Sequence, residues 1–143
     1  MTGMELKGRK VVVLGAGRSG LAACKALVAH GASVTLSDAK PLAALALVAA
    51  DAAQVGYSLA AGGHPEALLD GCGLVIISPG VSLRIAFVKR ARSQGVAVLS
   101  EIELSFRLKA RRWLAVTGTN GKTTTTSLLH AMFKAAAFPA LLG

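Results

Sequence analysis

The stretch from Lys10 to Asp38 constrains the fold more than any other part of this chain. Lys10–Leu14 is a β-branched apolar run, Gly15–Gly20 is a glycine-rich turn, and Leu21–His30 is an Ala/Leu helical segment stopped by Gly31. Ser33–Ser37 is then a second short run with strand character. Strand, turn, helix, strand is a βαβ unit, in which the two strands lie parallel and the helix crosses over in a right-handed sense. Strands this apolar along their whole length are covered on both faces, which asks for a helical layer on each side of the sheet.

The pattern continues downstream. Pro41 opens a helix to about Gln54, a short strand follows near Tyr57–Leu59, and Gly62-Gly63-His64-Pro65 forms a loop. Leu74–Ile77 is another apolar strand. It ends in Ser78-Pro79-Gly80, a turn at the C-terminal edge of a strand, where ligands of open α/β sheets bind. A helix over Arg84–Gln94, stopped by Gly95, leads to a strand at Val96–Leu99, then a short helical segment at Glu101–Lys109 and a basic joint, Ala110-Arg111-Arg112. A fresh strand at Leu114–Thr117, starting a new domain near Trp113, runs into a second glycine-rich loop and a helix over Lys122–Ala136, after which Phe138–Gly143 reads as the start of another strand.

The expected fold class is therefore α/β. A Rossmann-like parallel-sheet domain occupies 1–110, followed over 111–143 by the first strand, P-loop and helix of an incomplete P-loop ATPase-type central domain. One strand and one helix cannot bury a core, so the chain is expected to be a fragment.

Composition narrows the function classes. With 53% hydrophobic and 4% aromatic residues the chain is globular rather than disordered. Sixteen Lys and Arg against 7 Asp and Glu give +9, with excess in Lys89, Arg90, Arg92, Arg107, Lys109, Arg111 and Arg112, a stripe that favours anionic partners. No aromatic residues interleave with it as a single-strand stacking platform requires, so the stripe is expected to be a solvated face, or half of a charge balance, rather than a nucleic-acid site. Cys24 and Cys72 lie far apart with no CxxC, and His30, His64 and His130 lack metal-ligand spacing, so neither a disulfide framework nor a zinc site is expected. The glycines of Val11–Gly17 break any signal-peptide core and Leu42–Ala53 is too short to span a bilayer, which points to a cytoplasmic protein without membrane association.

Two motifs carry chemistry. Thr117-Gly118-Thr119-Asn120-Gly121-Lys122-Thr123-Thr124 follows a strand and opens a helix, the setting a P-loop needs. Gly118 and Gly121 let successive N–H groups converge on phosphate oxygens at the helix N-terminus. Lys122 supplies charge for the outer phosphates, and a hydroxyl of Thr123 or Thr124 can ligate Mg²⁺. Strict Walker spacing has Gly at the position of Val116; four consecutive threonines, which disfavour a helix, point to phosphate binding rather than a simple helix cap. The other motif, Gly15-Ala16-Gly17-Arg18-Ser19-Gly20, has G-x-G-x-x-G spacing in a strand-to-helix setting with Asp38 ending the second strand. Its geometry suits the pyrophosphate of either NAD or a UDP-linked substrate, with Asp38 accepting from a ribose or base.

Taken in order, VVVLGAGRSGLAA, VTLSDAK, VIISPGVS, SEIEL and VTGTNGKTTTTSLL resemble the Mur ligases that build peptidoglycan precursors, and the likeness runs over essentially the whole chain. The Ser-Pro-Gly-Val turn and Glu-Ile-Glu-Leu segment are more similar to the D-glutamate-adding branch than to the L-alanine-adding one. The resemblance implies an ATP- and Mg²⁺-dependent ligase, monomeric at full length, that joins D-glutamate to UDP-N-acetylmuramoyl-L-alanine through an acyl phosphate. It places Gly15, Gly17, Arg18, Ser19, Asp38 and Ala39 around the UDP, with Ser78, Pro79 and Gly80 closing the site. Gly118, Thr119, Asn120, Gly121, Lys122, Thr123 and Thr124 would hold ATP, with Lys122 catalytic through the γ-phosphate and Thr123 or Thr124 on Mg²⁺. The family's magnesium-ligating acid, its modified lysine and its amino-acid-binding domain are expected beyond Gly143, leaving this chain inactive alone. Ala135-Ala136-Ala137 stands where the family has Ala-Ala-Gly, which implies a less regular end to the last helix. The alternatives are an L-alanine-adding Mur ligase and an NAD(P)-binding module.

Overall fold

The structure, a computed structural model, describes residues 4–108 and 113–142, and these belong to two units, Met1–Ala110 and Arg111–Gly143. The basic joint Ala110–Arg112, with the boundary expected there, lies outside the described residues, as do Lys109 and Gly143.

The first unit holds a five-stranded sheet of β1 (Lys10–Leu14), β2 (Ser33–Asp38), β3 (Ser58–Ala61), β4 (Leu74–Ile77) and β5 (Ala97–Ser100), in the order β3-β2-β1-β4-β5. Every pair is parallel; Val11 lies opposite Val34 on one side and Leu74 on the other. The connecting helices are α1 (Arg18–Ala29), α2 (Ala46–Val55) and α3 (Ala86–Ser93), and α4 (Glu101–Leu108) follows the last strand. This is the α/β, Rossmann-like architecture that the βαβ pattern requires.

The period of two along β1 divides the core into two layers. Val11 and Val13 point to one face, where α1 lays Ala23, Cys24 and Leu27 against Val34, Leu36, Leu74 and Ile76, joined by Leu104 of α4. Val12 and Leu14 point to the other, meeting Val75, Ile77 and, on α3, Phe87, Val88 and Ala91. Each Val, Leu, Ile or Phe side chain taken out of water contributes about 1.5–3 kcal/mol. This double burial is why β1 and β4 are apolar throughout while β2 carries Thr35 and Ser37 on its second face. The cysteines are free and fall in different layers. Burial, aided by the charge of Asp51, pushes the Cys24 thiol up to about 12 and so keeps it protonated and unreactive.

Helix ends account for most differences from the sequence reading. Helix α1 starts at Arg18, not Leu21, because Gly17 is its N-cap and half of the glycine loop is already the first helical turn. After Pro41 the chain makes a 3₁₀ turn over Leu42–Leu45 before α2 begins, and a second one covers Glu66–Leu69. Helix α3 begins at Ala86 because Ile85 is extended. Gly31 and Gly95 end α1 and α3 in the left-handed conformation, each with the paired bonds of a Schellman motif: Ala32 N–H to the Leu27 carbonyl and Gly31 N–H to Val28, Val96 N–H to Ala91 and Gly95 N–H to Arg92.

In the second unit the regular element is α5 (Lys122–Ala135), with Gly121 as N-cap. The strand expected at Leu114–Thr117 is not formed, nor do residues 138–142 make one. A strand exists through its ladder, and no described segment of this unit pairs with Leu114–Thr117. The irregular end expected for α5 is also corrected. Phe138 N–H reaches the Phe133 carbonyl and Ala137 N–H that of Lys134, the rings of Phe133 and Phe138 lie 5.6 Å apart, and Ala137 takes the left-handed position at φ 53°. The motif is complete with alanine in the glycine place.

Candidate functional site

Strand order reverses direction between β1 and β4, and the crevice beyond their C-terminal ends is where a ligand of such a sheet binds. Two backbone turns meet there. Gly15 N–H bonds the Ser37 carbonyl at 2.8 Å and Ser78 N–H bonds the Leu14 carbonyl at 3.1 Å, so both loops leave the sheet as extensions of the ladder. Buried Ser78 then donates its hydroxyl to the Gly15 carbonyl at 3.3 Å, tying the loops together.

The three glycines of the first loop have different reasons. A Cβ on Gly15 would lie 2.9 Å from Val81 Cγ2 and 3.2 Å from Ser78 Cβ, and one on Gly20 would fall on the Gly15 carbonyl oxygen. Gly17 meets nothing within 4 Å, so its bare backbone faces open space. That exposed edge leads into the first turn of α1, which has no side-chain cap. Its leading N–H groups are therefore available to an anion at the positive end of the helix.

Asp38 holds the loop from the neighbouring strand. Its carboxylate accepts from Ala16 N–H at 2.6 Å and from Lys40 N–H at 2.8 Å. Burial raises the carboxyl pKa, but these two N–H groups and the nearby Lys40 and His64 outweigh it, and the group sits below its ordinary value. Asp38 is thus ionised at neutral pH.

The glycine loop, the end of β2, the Ser78 turn and His64 enclose a cavity of about 480 Å³. Gly15, Gly17, Arg18, Ser19, Asp38, Ala39, Ser78, Pro79 and Gly80, the residues singled out from the sequence for this site, all line it.

The second unit presents the other loop. Gly118 at φ 148° and Gly121 at φ 76° turn the chain so that α5 starts without a side-chain cap. Lys122 Nζ folds back to donate to the Gly118 and Thr119 carbonyls. Thr126 donates its hydroxyl to the Lys122 carbonyl at 2.6 Å, while the exposed hydroxyls of Thr123 and Thr124 have no partner among the described residues. The donor set, one ammonium, free helix N–H groups and two free hydroxyls, fits a polyphosphate with a hard cation.

Residues 9–100 match the family model of the Mur ligase MurD-like N-terminal domain, and residues 116–143 match that of the Mur ligase middle domain. The chain belongs to the Mur ligases. It is 44% identical over 131 residues, 92% of its length, to the UDP-N-acetylmuramoylalanine--D-glutamate ligase of Caldanaerobacter subterraneus subsp. tengcongensis, of which it covers 29%. It is 40% identical over all 143 residues to the protein of the same name from Desulfosudis oleivorans, of which it covers 31%. Among solved structures, a pseudomurein peptide ligase type C from Methanothermus fervidus aligns with a TM-score of 0.59 at 28% identity, over 90% of this chain and 26% of that one. The Mur ligase chain thus spans less than a third of the length of these relatives.

Sequence reasoning left out six cavity-lining residues of this Mur ligase chain: Ala16, Lys40, His64, Val81, Ser82 and Ile85. The signal for His64 was present. It follows Gly62-Gly63 just past the end of β3, and in an all-parallel sheet every loop after a strand reaches the same edge.

Proposed function

We propose that the protein to which this chain belongs is a cytoplasmic, ATP- and Mg²⁺-dependent ligase that adds D-glutamate to UDP-N-acetylmuramoyl-L-alanine, activating the substrate carboxylate as an acyl phosphate. Residues 1–110 are the UDP-substrate-binding domain and 111–143 the start of the ATP-binding domain. The reading rests above all on the match of residues 9–100 to the MurD-like N-terminal domain, which favours the D-glutamate-adding branch over the L-alanine-adding one. Relatives at about 40% identity bear the corresponding ligase name.

In this reading the bare edge at Gly17, with Arg18 and Ser19 at the head of α1, takes the pyrophosphate, and Asp38 and Ala39 border the uridine. Ser78, Pro79 and Gly80 close the opposite wall. Gly118–Gly121 cradle the ATP phosphates, Lys122 stabilises charge on the transferred γ-phosphate, and the free hydroxyl of Thr123 or Thr124 is available to Mg²⁺, which neutralises phosphate charge when bound. The chain spans less than a third of the length of its curated relatives, and in this reading it does not carry out the ligase reaction alone.

Titration of the chain with UDP, Mg·ATP and NADH tests the assignment. UDP binding with no preference for NADH is expected; tight NADH binding without UDP binding would favour a dinucleotide module instead. Phosphate release by this chain alone, dependent on both UDP-N-acetylmuramoyl-L-alanine and D-glutamate, would contradict its inactivity.

A further inference from the structure

The cavity wall contains a polar relay that the phosphate and Asp38 chemistry leaves unused. Ser37, on the second face of β2, is completely buried, and its hydroxyl lies 2.9 Å from the Gly63 carbonyl and 2.8 Å from His64 Nδ1. A hydroxyl has one proton. The carbonyl can only accept, so the Ser37 proton goes to Gly63, and the contact to Nδ1 is a hydrogen bond only if Nδ1 carries the ring proton. Both contacts are then satisfied and the imidazole tautomer is fixed. Neutral His64 is left with an unprotonated Nε2, for which no partner occurs among the described residues.

The ring is also held by its loop and by α3. Gly62 N–H bonds the Lys40 carbonyl at 2.8 Å and Gly63 N–H bonds that of Asp38 at 3.1 Å, pinning this loop to the end of β2. The Phe87 ring of α3 lies tilted against the imidazole, with centroids 6.0 Å apart. His64 and Asp38 therefore share one wall of the cavity, both as acceptors.

We propose that His64 is a specificity residue of the nucleotide site, its Nε2 accepting a hydrogen bond from the nucleoside half of the ligand, either the imide N–H of the base or a ribose hydroxyl. The inference rests on the UDP assignment above. Protonation reverses the recognition, because Nε2–H becomes a donor facing a donor. Burial lowers the imidazole pKa and the charge of Asp38 opposes it, leaving a net lowering and a neutral ring at pH 7. Of the other charged groups, Arg18 and Lys40 line the same cavity, while on the neighbouring elements Glu66 of the following turn and Arg90 of α3 pair with each other at 3.8 Å.

The test uses the whole chain and UDP. His64→Asn keeps a side-chain N–H for Ser37 but lacks the distal acceptor, and His64→Phe lacks both. At pH 7.5 both are expected to bind UDP roughly three- to ten-fold more weakly than wild type, the range for one neutral hydrogen bond. Wild-type affinity should fall as the pH drops below the ordinary imidazole value, more steeply than that of either variant. The ligand donor is read from analogues. If the Asn penalty vanishes with 3-methyl-UDP the base donates, and if it vanishes with 2′,3′-dideoxy-UDP the ribose does. Variants within two-fold of wild type, an unchanged pH slope, or a penalty that persists with both analogues would overturn the role of Nε2. Wild-type chain that fails to bind UDP at all would instead overturn the site assignment itself.

Discussion

Gly17 and Gly20 lie in one motif yet answer to different forces. A methyl group on Gly20 meets the Gly15 backbone, which cannot move without displacing β1, whereas one on Gly17 meets nothing. Gly20→Ala should therefore cost about 1–3 kcal/mol in urea denaturation. Gly17→Ala should stay within about 0.5 kcal/mol while weakening UDP binding, since only an approaching ligand occupies that space. Equal destabilisation by the two would remove the distinction. Asp38 allows a second test. Its folded-state pKa is lowered, so its contribution to stability is present above the unfolded carboxyl value and lost as pH falls through the folded one. The stability gap between wild type and Asp38→Asn should hold from pH 8 to 6, begin to shrink below about pH 4, near the unfolded aspartate pKa, and close as the pH falls through the lower folded value. A gap undiminished at pH 3 would mean that the carboxylate charge is not what ties Ala16 and Lys40 together.

Helix ends show how elements follow from single residues. Schellman motifs end α1, α3 and α5 with the same two bonds, but the left-handed position holds glycine at 31 and 95 and alanine at 137. An L-residue there costs about 1–2 kcal/mol, offset in part by the greater freedom that glycine has when unfolded. Ala137→Gly should thus stabilise the end of α5 by about 0.5–1 kcal/mol, seen as slower amide exchange at residues 137 and 138; faster exchange would mean that alanine is not strained there. The same motif explains what the sequence made legible. Glycines 31 and 95 marked two helix ends to within one residue, and runs of valine, leucine and isoleucine marked β1 and β4, because burial on both faces leaves no polar alternative. Less legible was the start of α1, where Arg18-Ser19-Gly20 has loop composition but helical geometry once Gly17 caps it. Ser37 and His64 were missed because their meeting depends on β2 and β3 lying side by side, a pairing that neither residue announces alone. Leu114–Thr117 had strand composition, but composition does not supply the neighbouring ladder.

At the scale of the whole molecule the two units differ in how their regular structure is sustained. Every residue of β4 and all but the first of β1 are buried, and these strands pair with each other at the centre of the sheet. Helix α5 has 14 residues and buries none of them, with Leu128 at 61% and Met132 at 60% exposure forming an i, i+4 apolar pair in solvent. A helix of that length without a packed face is marginal in water, since most helical stability in proteins comes from tertiary contact. Nearby, His130 Nδ1 is enclosed with no hydrogen-bond partner among the described residues, which adds a desolvation cost of about 1–3 kcal/mol. Opening free energies should therefore diverge along the chain. In native-state amide exchange, Val11–Leu14 and Leu74–Ile77 should open only with global unfolding of the first unit, and Thr125–Lys134 should exchange orders of magnitude faster. Equal protection would show that α5 gains its stability from contacts outside its own unit. If the fast exchange is found, saturating Mg·ATP should slow it only as far as binding energy at Gly118–Thr124 reaches the first turn of the helix, leaving Leu128–Lys134 largely unchanged. The cradle in this chain would then be locally shaped for phosphate yet lack the packed support that holds a transferred phosphoryl group in position.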